Sequence, residues 1–359
     1  MELFFDLVQL AIGEKKKLSR EPAEKEWLAI YELASMQCVT GLLFSAINKL
    51  NEAGSSIKPP MELFYQWIGD SLDIEAQNKR LNEAAKLLTE IFKKGQFCSC
   101  VLKGQGMARL YPAPELRQPG DIDLWVDGSR KEILRFLKSQ NYDIGHVVIH
   151  HVDCTILDEI ITEIHFIPVW AYNPFVNRRL QNFFHKNRDS QFCNYDANMG
   201  FAYPTNCFNA VYCLSHIYMH FLYEGIGMRQ MIDYYFVVKS LNKKDKDAVN
   251  REIKHIGLEK IAGAVMYVLH MVCGMDKGEL LCKMDVKRGK LLLKEIMLGG
   301  NFGQSDDRVI HSKDVGRLKK NLRRLQRETS FFRYYPMDVI SIPFWKVGHY
   351  VWRKWNGYL

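Results

Sequence analysis

Asp121 and Asp123 stand two apart in the run Gly120-Asp121-Ile122-Asp123-Leu124, a spacing that sends both side chains to one face of a strand. Two carboxylates about 6.6–7 Å apart along a strand repel each other unless a cation sits between them. Hard oxygen ligands of this kind suit Mg2+ or Mn2+. Gly120 keeps the backbone thin where a ligand would approach. Upstream, Lys103-Gly104-Gln105-Gly106 falls between a predicted strand and a predicted helix, where glycine turns offer backbone N–H groups to phosphate. Lys103 and Arg117 would add a point charge and a forked contact to a polyphosphate. Downstream, Glu163 and His165 alternate with Ile164 and Phe166 and so share a strand face. Set beside the Asp121 strand, Glu163 becomes a third acidic group at the cation. Three carboxylates holding two metal ions are a template for in-line displacement at phosphorus.

Other titratable residues admit two readings each. Arg229 and Asp233 are four apart on a predicted helix, which suits an ion pair along one face or an arginine turned toward a ligand. His216 and His220 have the same spacing, usable for a metal but equally for packing or a substrate contact. His146, His150 and His151 precede Glu163 on its neighbouring predicted strand, so they are expected near the site. A zinc centre among them is the alternative.

These residues need a sheet to carry them. Helical periodicity runs from Met1 to about Lys94, with Glu62–Phe92 as one or two long amphipathic helices. Short β-compatible runs then appear at Phe97–Leu102 and Ile122–Val126, with helices at Met107–Leu110 and Arg130–Gln140. Tyr142–His151 and Ile160–Phe166 alternate like paired strands about a turn at Asp158-Glu159. Helix resumes at Cys207–Tyr223 (Asn206 as a cap), Met228–Leu241, Ile253–Cys273 and Val315–Arg327. The division is a helical region 1–95, an α/β core 96–170, a helical domain 171–307 and a basic segment 308–359, giving an α+β protein with a small mixed sheet.

Composition agrees with a folded chain: 359 residues, 47% hydrophobic and 25% charged, enough to bury a sizeable core. No apolar run reaches the ~18 residues of a membrane span. Nine cysteines without a Cys-x-x-Cys pair point away from a disulfide framework and toward the reducing cytoplasm. The net charge of +8 is local: residues 308–359 hold 12 Lys/Arg against 3 Asp/Glu. Such a segment suits RNA, another polyanion or an anionic surface.

The run Leu102-Lys103-Gly104 through Leu116-Arg117 to Gly120-Asp121-Ile122-Asp123-Leu124 resembles the uncharacterised nucleotidyltransferase family of the polymerase-beta superfamily, common in bacterial genomes. Glu163-Ile164-His165 is similar to its third-carboxylate strand, and Gly225-Ile226-Gly227-Met228-Arg229-Gln230-Met231-Ile232-Asp233 to its helical-domain signature. The resemblance spans about 97–238. It implies a minimal nucleotidyltransferase sheet flanked by helical domains, with Asp121, Asp123 and Glu163 as Mg2+ (or Mn2+) ligands and Glu163 polarising the acceptor hydroxyl. It further implies Lys103, Gly104, Arg117, Gly120 and Arg229 around the nucleotide, with His165, His150, His216, His220 and Asp233 facing substrate. The reaction implied moves NMP from a nucleoside triphosphate to a hydroxyl on a small molecule, RNA or protein, releasing pyrophosphate. One departure stands out: Gly104-Gln105 replaces the superfamily's glycine-serine pair. A different class of function, a non-catalytic nucleic-acid-binding or membrane-associated protein, would use the basic segment and its Trp345, Trp352 and Trp355.

Overall fold

The computed structural model describes residues 1–157, 160–306, 308 and 317–358. Four helices open the chain: α1 (Glu2–Ile12), α2 (Glu24–Met36), α3 (Thr40–Glu52) and the 34-residue α4 (Met61–Lys94). The α/β stretch follows as β1 (Ser99–Val101), α5 (Gln105–Ala108), β2 (Ile122–Val126), α6 (Arg130–Ser139), β3 (Asp143–Val147), β4 (His151–Thr155) and β5 (Thr162–His165). Next come α7 (Pro174–Phe192), β6 (Tyr195–Asp196), β7 (Phe201–Ala202), α8 (Asn206–Tyr223), α9 (Met228–Lys239) and α10 (Lys243–Ile256). The last helices are α11 (Glu259–Cys273), α12 (Val286–Gly299), α13 (Arg317–Ser330) and α14 (Pro336–Trp355). Among the described residues, no helix is long and apolar enough to cross a membrane.

The strands form one mixed sheet in the order β3-β4-β5-β2-β1-β7-β6. β2 and β5 run parallel with Asp123 opposite Glu163 and Trp125 opposite His165. β4 runs antiparallel to β5 with Asp153 opposite Glu163 and His151 opposite His165. Alternation therefore sorts the sheet into two faces. Ile122, Leu124, Val126, Val152 and Ile164 pack in one apolar cluster with Leu88 and Phe92 of α4 and Ile133 and Leu137 of α6. The opposite face turns its carboxylates and histidines toward the helical body. Like charges on strands ~4.8 Å apart oppose folding by roughly 3 kcal/mol at an effective dielectric of 20. Burying apolar side chains contributes roughly 1.5–3 kcal/mol each, so the apolar face can hold the acidic face in place.

Local chemistry explains the element ends. Ser129 caps α6: its Oγ accepts from the Glu132 amide at 3.3 Å, and Glu132 Oε2 accepts from the Ser129 amide at 2.9 Å. α8 and α9 are buried on nearly every side and contribute heavily to the larger core, α9 carrying Arg229, Gln230 and Asp233 into it.

Several sequence expectations are corrected. The single strand expected over Tyr142–His151 is two antiparallel strands, β3 and β4, which pair on either side of the bend at Val148–His150. The expected helix Ile253–Cys273 breaks at Gly257, whose left-handed backbone (φ 97) ends α10, a conformation that glycine adopts without penalty. Thr205, not Asn206, occupies the N-cap of α8. β6 and β7 are short strands within a stretch expected to be helical, and they extend the sheet beyond β1. The Asp158-Glu159 turn and the start of the basic helix at Val315 lie outside the described residues.

Candidate active site

Register brings the acidic side chains together. Asp123 lies in the middle of β2 and is almost fully buried, while Asp121 immediately precedes the strand and is exposed to the cleft. Lys103, from the turn after β1, places Nζ 2.7 Å from Asp123 Oδ1 and 2.8 Å from His216 Nε2. His165 Nε2 lies 3.0 Å from the same Asp123 oxygen and 3.2 Å from Glu163 Oε2. Asp123 thus sits between two cations.

The electrostatics follow from that placement. Burial works against the Asp123 carboxylate, but the Lys103 ammonium and the His165 hydrogen bond hold it well below the usual range. Asp121 is pushed up to about 6, first by burial and then by the neighbouring Asp123 charge. Its surface meets cleft water, yet surrounding protein still penalises its charge. Burial opposes the His165 cation, but Asp123 and Glu163 raise its pKa to about 9. Burial also opposes the charged forms of Glu163 and Lys103; His165 keeps the former low, and the three carboxylates keep the latter high. No protein cation pairs directly with Asp121 among the described residues. It is the acid best placed to receive an external cation.

Glycine is needed at one point here: Gly104 adopts φ +52, a backbone that glycine takes without penalty. Gln105 turns away from the site and donates to Asn82 Oδ1 on α4 at 2.8 Å.

The arginines are placed differently from their sequence reading. Arg117 spends its fork on Asp233, with Nε–Oδ1 and Nη2–Oδ2 both 2.8 Å, and Tyr111 Oη donates to Asp233 at 2.7 Å. Asp233 therefore pairs with Arg117 and not with its i–4 neighbour. Arg229 Nη1 donates to the Gln118 and Pro119 carbonyls at 3.2 and 2.9 Å. Both arginines tie the loop before Asp121 to α9. His216 and His220 approach at 2.9 Å, and His220 Nδ1 lies 2.8 Å from Glu224, so the pair links Lys103 to Glu224.

Two cavities flank the carboxylates. A narrow one of about 50 Å3 is lined by Arg117, Gly120, Arg229 and Asp233; a wide one of about 630 Å3 is lined by His150, His151, Trp170 and Trp345. Lys103, Asp121, His216 and Phe302 line both. Phe302 was not singled out in the sequence. The signal was present in Gly300-Asn301-Phe302-Gly303 and in Gly225-Ile226-Gly227. A Cβ on Gly225 would meet the Gly303 backbone at 2.6 Å, and one on Gly227 would meet Asn301 Cα at 2.9 Å. Paired glycines let these two turns touch and set Phe302 over His220, ring centroids 4.9 Å apart.

A family model described as Uncharacterised nucleotidyltransferase matches residues 23–274. The chain belongs to that nucleotidyltransferase family. No curated protein matches the chain, and no solved structure does. The matched range holds every acid of the site. α14, which lends Trp345 and His349 to the wide cavity, lies beyond the range matched to the nucleotidyltransferase model.

α14 corrects the reading of the tryptophans. Trp345 packs on Tyr172 at 4.4 Å and Trp352 under Arg130 at 4.7 Å. Trp355 alone of the three is exposed, at 88%.

Proposed function

We propose that this protein is a metal-dependent nucleotidyltransferase with a polymerase-beta-like core, transferring NMP from a nucleoside triphosphate to an acceptor hydroxyl. The observation that carries this reading is the register that sets Asp123 opposite Glu163 on parallel strands, with Asp121 at the mouth. Asp121 lines both cavities, Asp123 the narrow one and Glu163 the wide one; the three offer hard oxygen donors, and no cation among the described residues pairs with Asp121. Asp121, Asp123 and Glu163 therefore fit Mg2+ or Mn2+. When bound, such ions neutralise charge developing on the attacking and leaving oxygens.

The chain's own groups supply the rest. Of the two cavities, only the wide one is of nucleotide size, and its Trp170, Tyr172 and Trp345 offer aromatic faces to a base or acceptor. Lys103 reaches the phosphates from the turn shared by both cavities. Glu163 polarises the acceptor hydroxyl and takes its proton as the new oxygen–phosphorus bond forms. The bond between the α-phosphorus and its bridging oxygen breaks, and pyrophosphate leaves. Arg117 and Arg229 hold the loop that presents Asp121. Orientation contributes much of the acceleration in such transfers.

The test is to incubate the protein with each labelled nucleoside triphosphate, Mg2+ or Mn2+ and cell extract. Pyrophosphate release with a labelled product is the expected result. No label transfer with any triphosphate under either metal overturns the reading.

Association with an anionic membrane surface is a second reading, compatible with the first. Met337, Ile340, Phe344, Val347, Val351 and Trp355 recur along α14 at helical spacing and are exposed. Residues 317–355 carry ten Lys/Arg against two Asp/Glu. An apolar stripe beside basic residues is the make-up of an interfacial helix. Sedimentation with vesicles containing phosphatidylserine, lost in Phe344→Glu, is expected; equal recovery without vesicles overturns it.

A further inference from the structure

We propose that His151, Glu163 and His165 form a binding site for one transition-metal ion of the zinc class, on the wide-cavity side of the carboxylates. His151 Nδ1 and His165 Nε2 lie 3.6 and 3.2 Å from the same oxygen, Glu163 Oε2. All three donor atoms fall within 4.8 Å of one another. Tetrahedral zinc with bonds of about 2.0–2.1 Å separates neighbouring donors by about 3.3–3.4 Å, so the observed spacing is close to a ligand cage.

The outer nitrogens make the case specific. Metal-bound histidines usually give their other ring nitrogen to a carboxylate or a backbone carbonyl. Here His151 Nε2 lies 3.3 Å from Asp153 Oδ1, and His165 Nδ1 lies 3.3 Å from the Ile167 carbonyl. Both rings are thereby turned with the remaining nitrogen toward Glu163, His165 Nε2 also meeting Asp123 Oδ1 at 3.0 Å. His151 Nδ1 is buried and makes no hydrogen bond among the described residues, an expensive state for a polar atom. Register fixes the arrangement, since His151 faces His165 and Asp153 faces Glu163 across β4 and β5. This set differs from the histidine trio expected from sequence: β3 carries His146, and the bend before β4 carries His150.

Two imidazoles and one carboxylate with an open position form the ligand set of catalytic-type zinc sites. All three residues line the wide cavity, so the open position faces its contents. Nitrogen donors make the site softer than the oxygen-only trio, and it selects zinc or cobalt over magnesium. The site shares Glu163 with the proposed transfer reaction but does not rest on it, since neither Asp121 nor Asp123 is a ligand.

Full-length protein stripped by a chelator is dialysed against Zn2+ or Co2+ in excess Mg2+, then assayed by elemental analysis and by cobalt visible absorption. One equivalent retained, with the intense absorption of a tetrahedral cobalt site, is expected. Asp153→Asn should weaken cobalt binding about 10–100-fold, and His151→Ala by more. Asp121→Asn should keep the cobalt spectrum while losing nucleotide transfer, which separates failure of one proposal from failure of the other. Retention no greater than that of a protein without the site, or a cobalt spectrum unchanged in both His151→Ala and Asp153→Asn, overturns the site. Circular dichroism melts check folding; if His151→Ala does not fold, the half-exposed Asp153→Asn decides.

Discussion

The two cavities share Lys103, Asp121, His216 and Phe302 but differ in how their polar groups are committed. On the narrow side, Arg117 is bidentate to Asp233 and Arg229 Nη1 is bonded to two carbonyls, with the buried Arg229 Nε left without a partner among the described residues. On the wide side, His150 Nδ1, His151 Nδ1 and Trp170 Nε1 are buried without hydrogen bonds among the described residues. Satisfied groups stabilise; unsatisfied groups cost about 1–3 kcal/mol each and persist where a ligand completes them. The narrow side is therefore built to hold the Asp121 loop, and the wide side to bind.

The largest effect should come from the wall between the cavities. Asp121→Asn is expected to lower transfer at least about 10³-fold, as removal of a charge-stabilising group does, with little change in melting temperature because the side chain is exposed. Asp123→Asn should lose as much activity and also stability, because Lys103 and His165 lose their shared carboxylate. Pyrophosphate release and thermal melts read the two effects separately. Full activity in Asp121→Asn would erase the distinction between wall and lining.

Next comes the narrow side. Asp233→Asn leaves Arg117 buried beside a neutral amide and should cost about 3–5 kcal/mol, measured by urea unfolding. Burial opposes the Asp233 charge, but Arg117 and Tyr111 hold its pKa below the ordinary 3.8. A depressed carboxylate contributes stability above its unfolded value and loses it as pH falls through its folded value. The gap between wild type and Asp233→Asn should therefore be full at pH 6 and shrink below about pH 4. A gap independent of pH would assign the loss to packing.

A smaller effect tests the aromatic boundary. Gly225→Ala places a methyl against the Gly303 backbone at φ +128 and should cost about 1–3 kcal/mol, as overpacking does. Phe302 shifts with that turn, so KM should change along with stability. Unchanged kinetics would remove Phe302 from the site.

What the sequence made legible follows the range of the forces involved. Alternation on β2 and β5 is local, so Ile122–Val126 and the shared face of Glu163 and His165 could be read from residue types. The placement of Asp123 opposite Glu163 required strand order, which no local pattern encodes. The Arg117–Asp233 pair spans 116 residues, and the helical i,i+4 spacing pointed to the wrong partner because Arg117 offers Asp233 a bidentate fork while Arg229 is held by the Gln118 and Pro119 carbonyls. β6 and β7 were invisible because two-residue strands carry no period. Trp345 and Trp352 looked like surface groups because basic residues surround them; Tyr172 and Arg130, distant in sequence, turn them inward.

Arg229 gives the finest test of the comparison. Its Nη1 serves the Gln118 and Pro119 carbonyls, one residue short of Gly120. Burial and the nearby Arg117 charge both disfavour its cation, a cost that the two carbonyl bonds partly offset. Arg229→Gln keeps one amide donor of shorter reach, so the loop loosens without leaving a buried charge. The expected outcome is a fall in kcat of about tenfold, the value of ~1.4 kcal/mol in positioning, with KM for the triphosphate within about twofold of wild type. A rise in KM at constant kcat would instead put Arg229 on the phosphates, and the narrow cavity would then bind ligand as the wide one does.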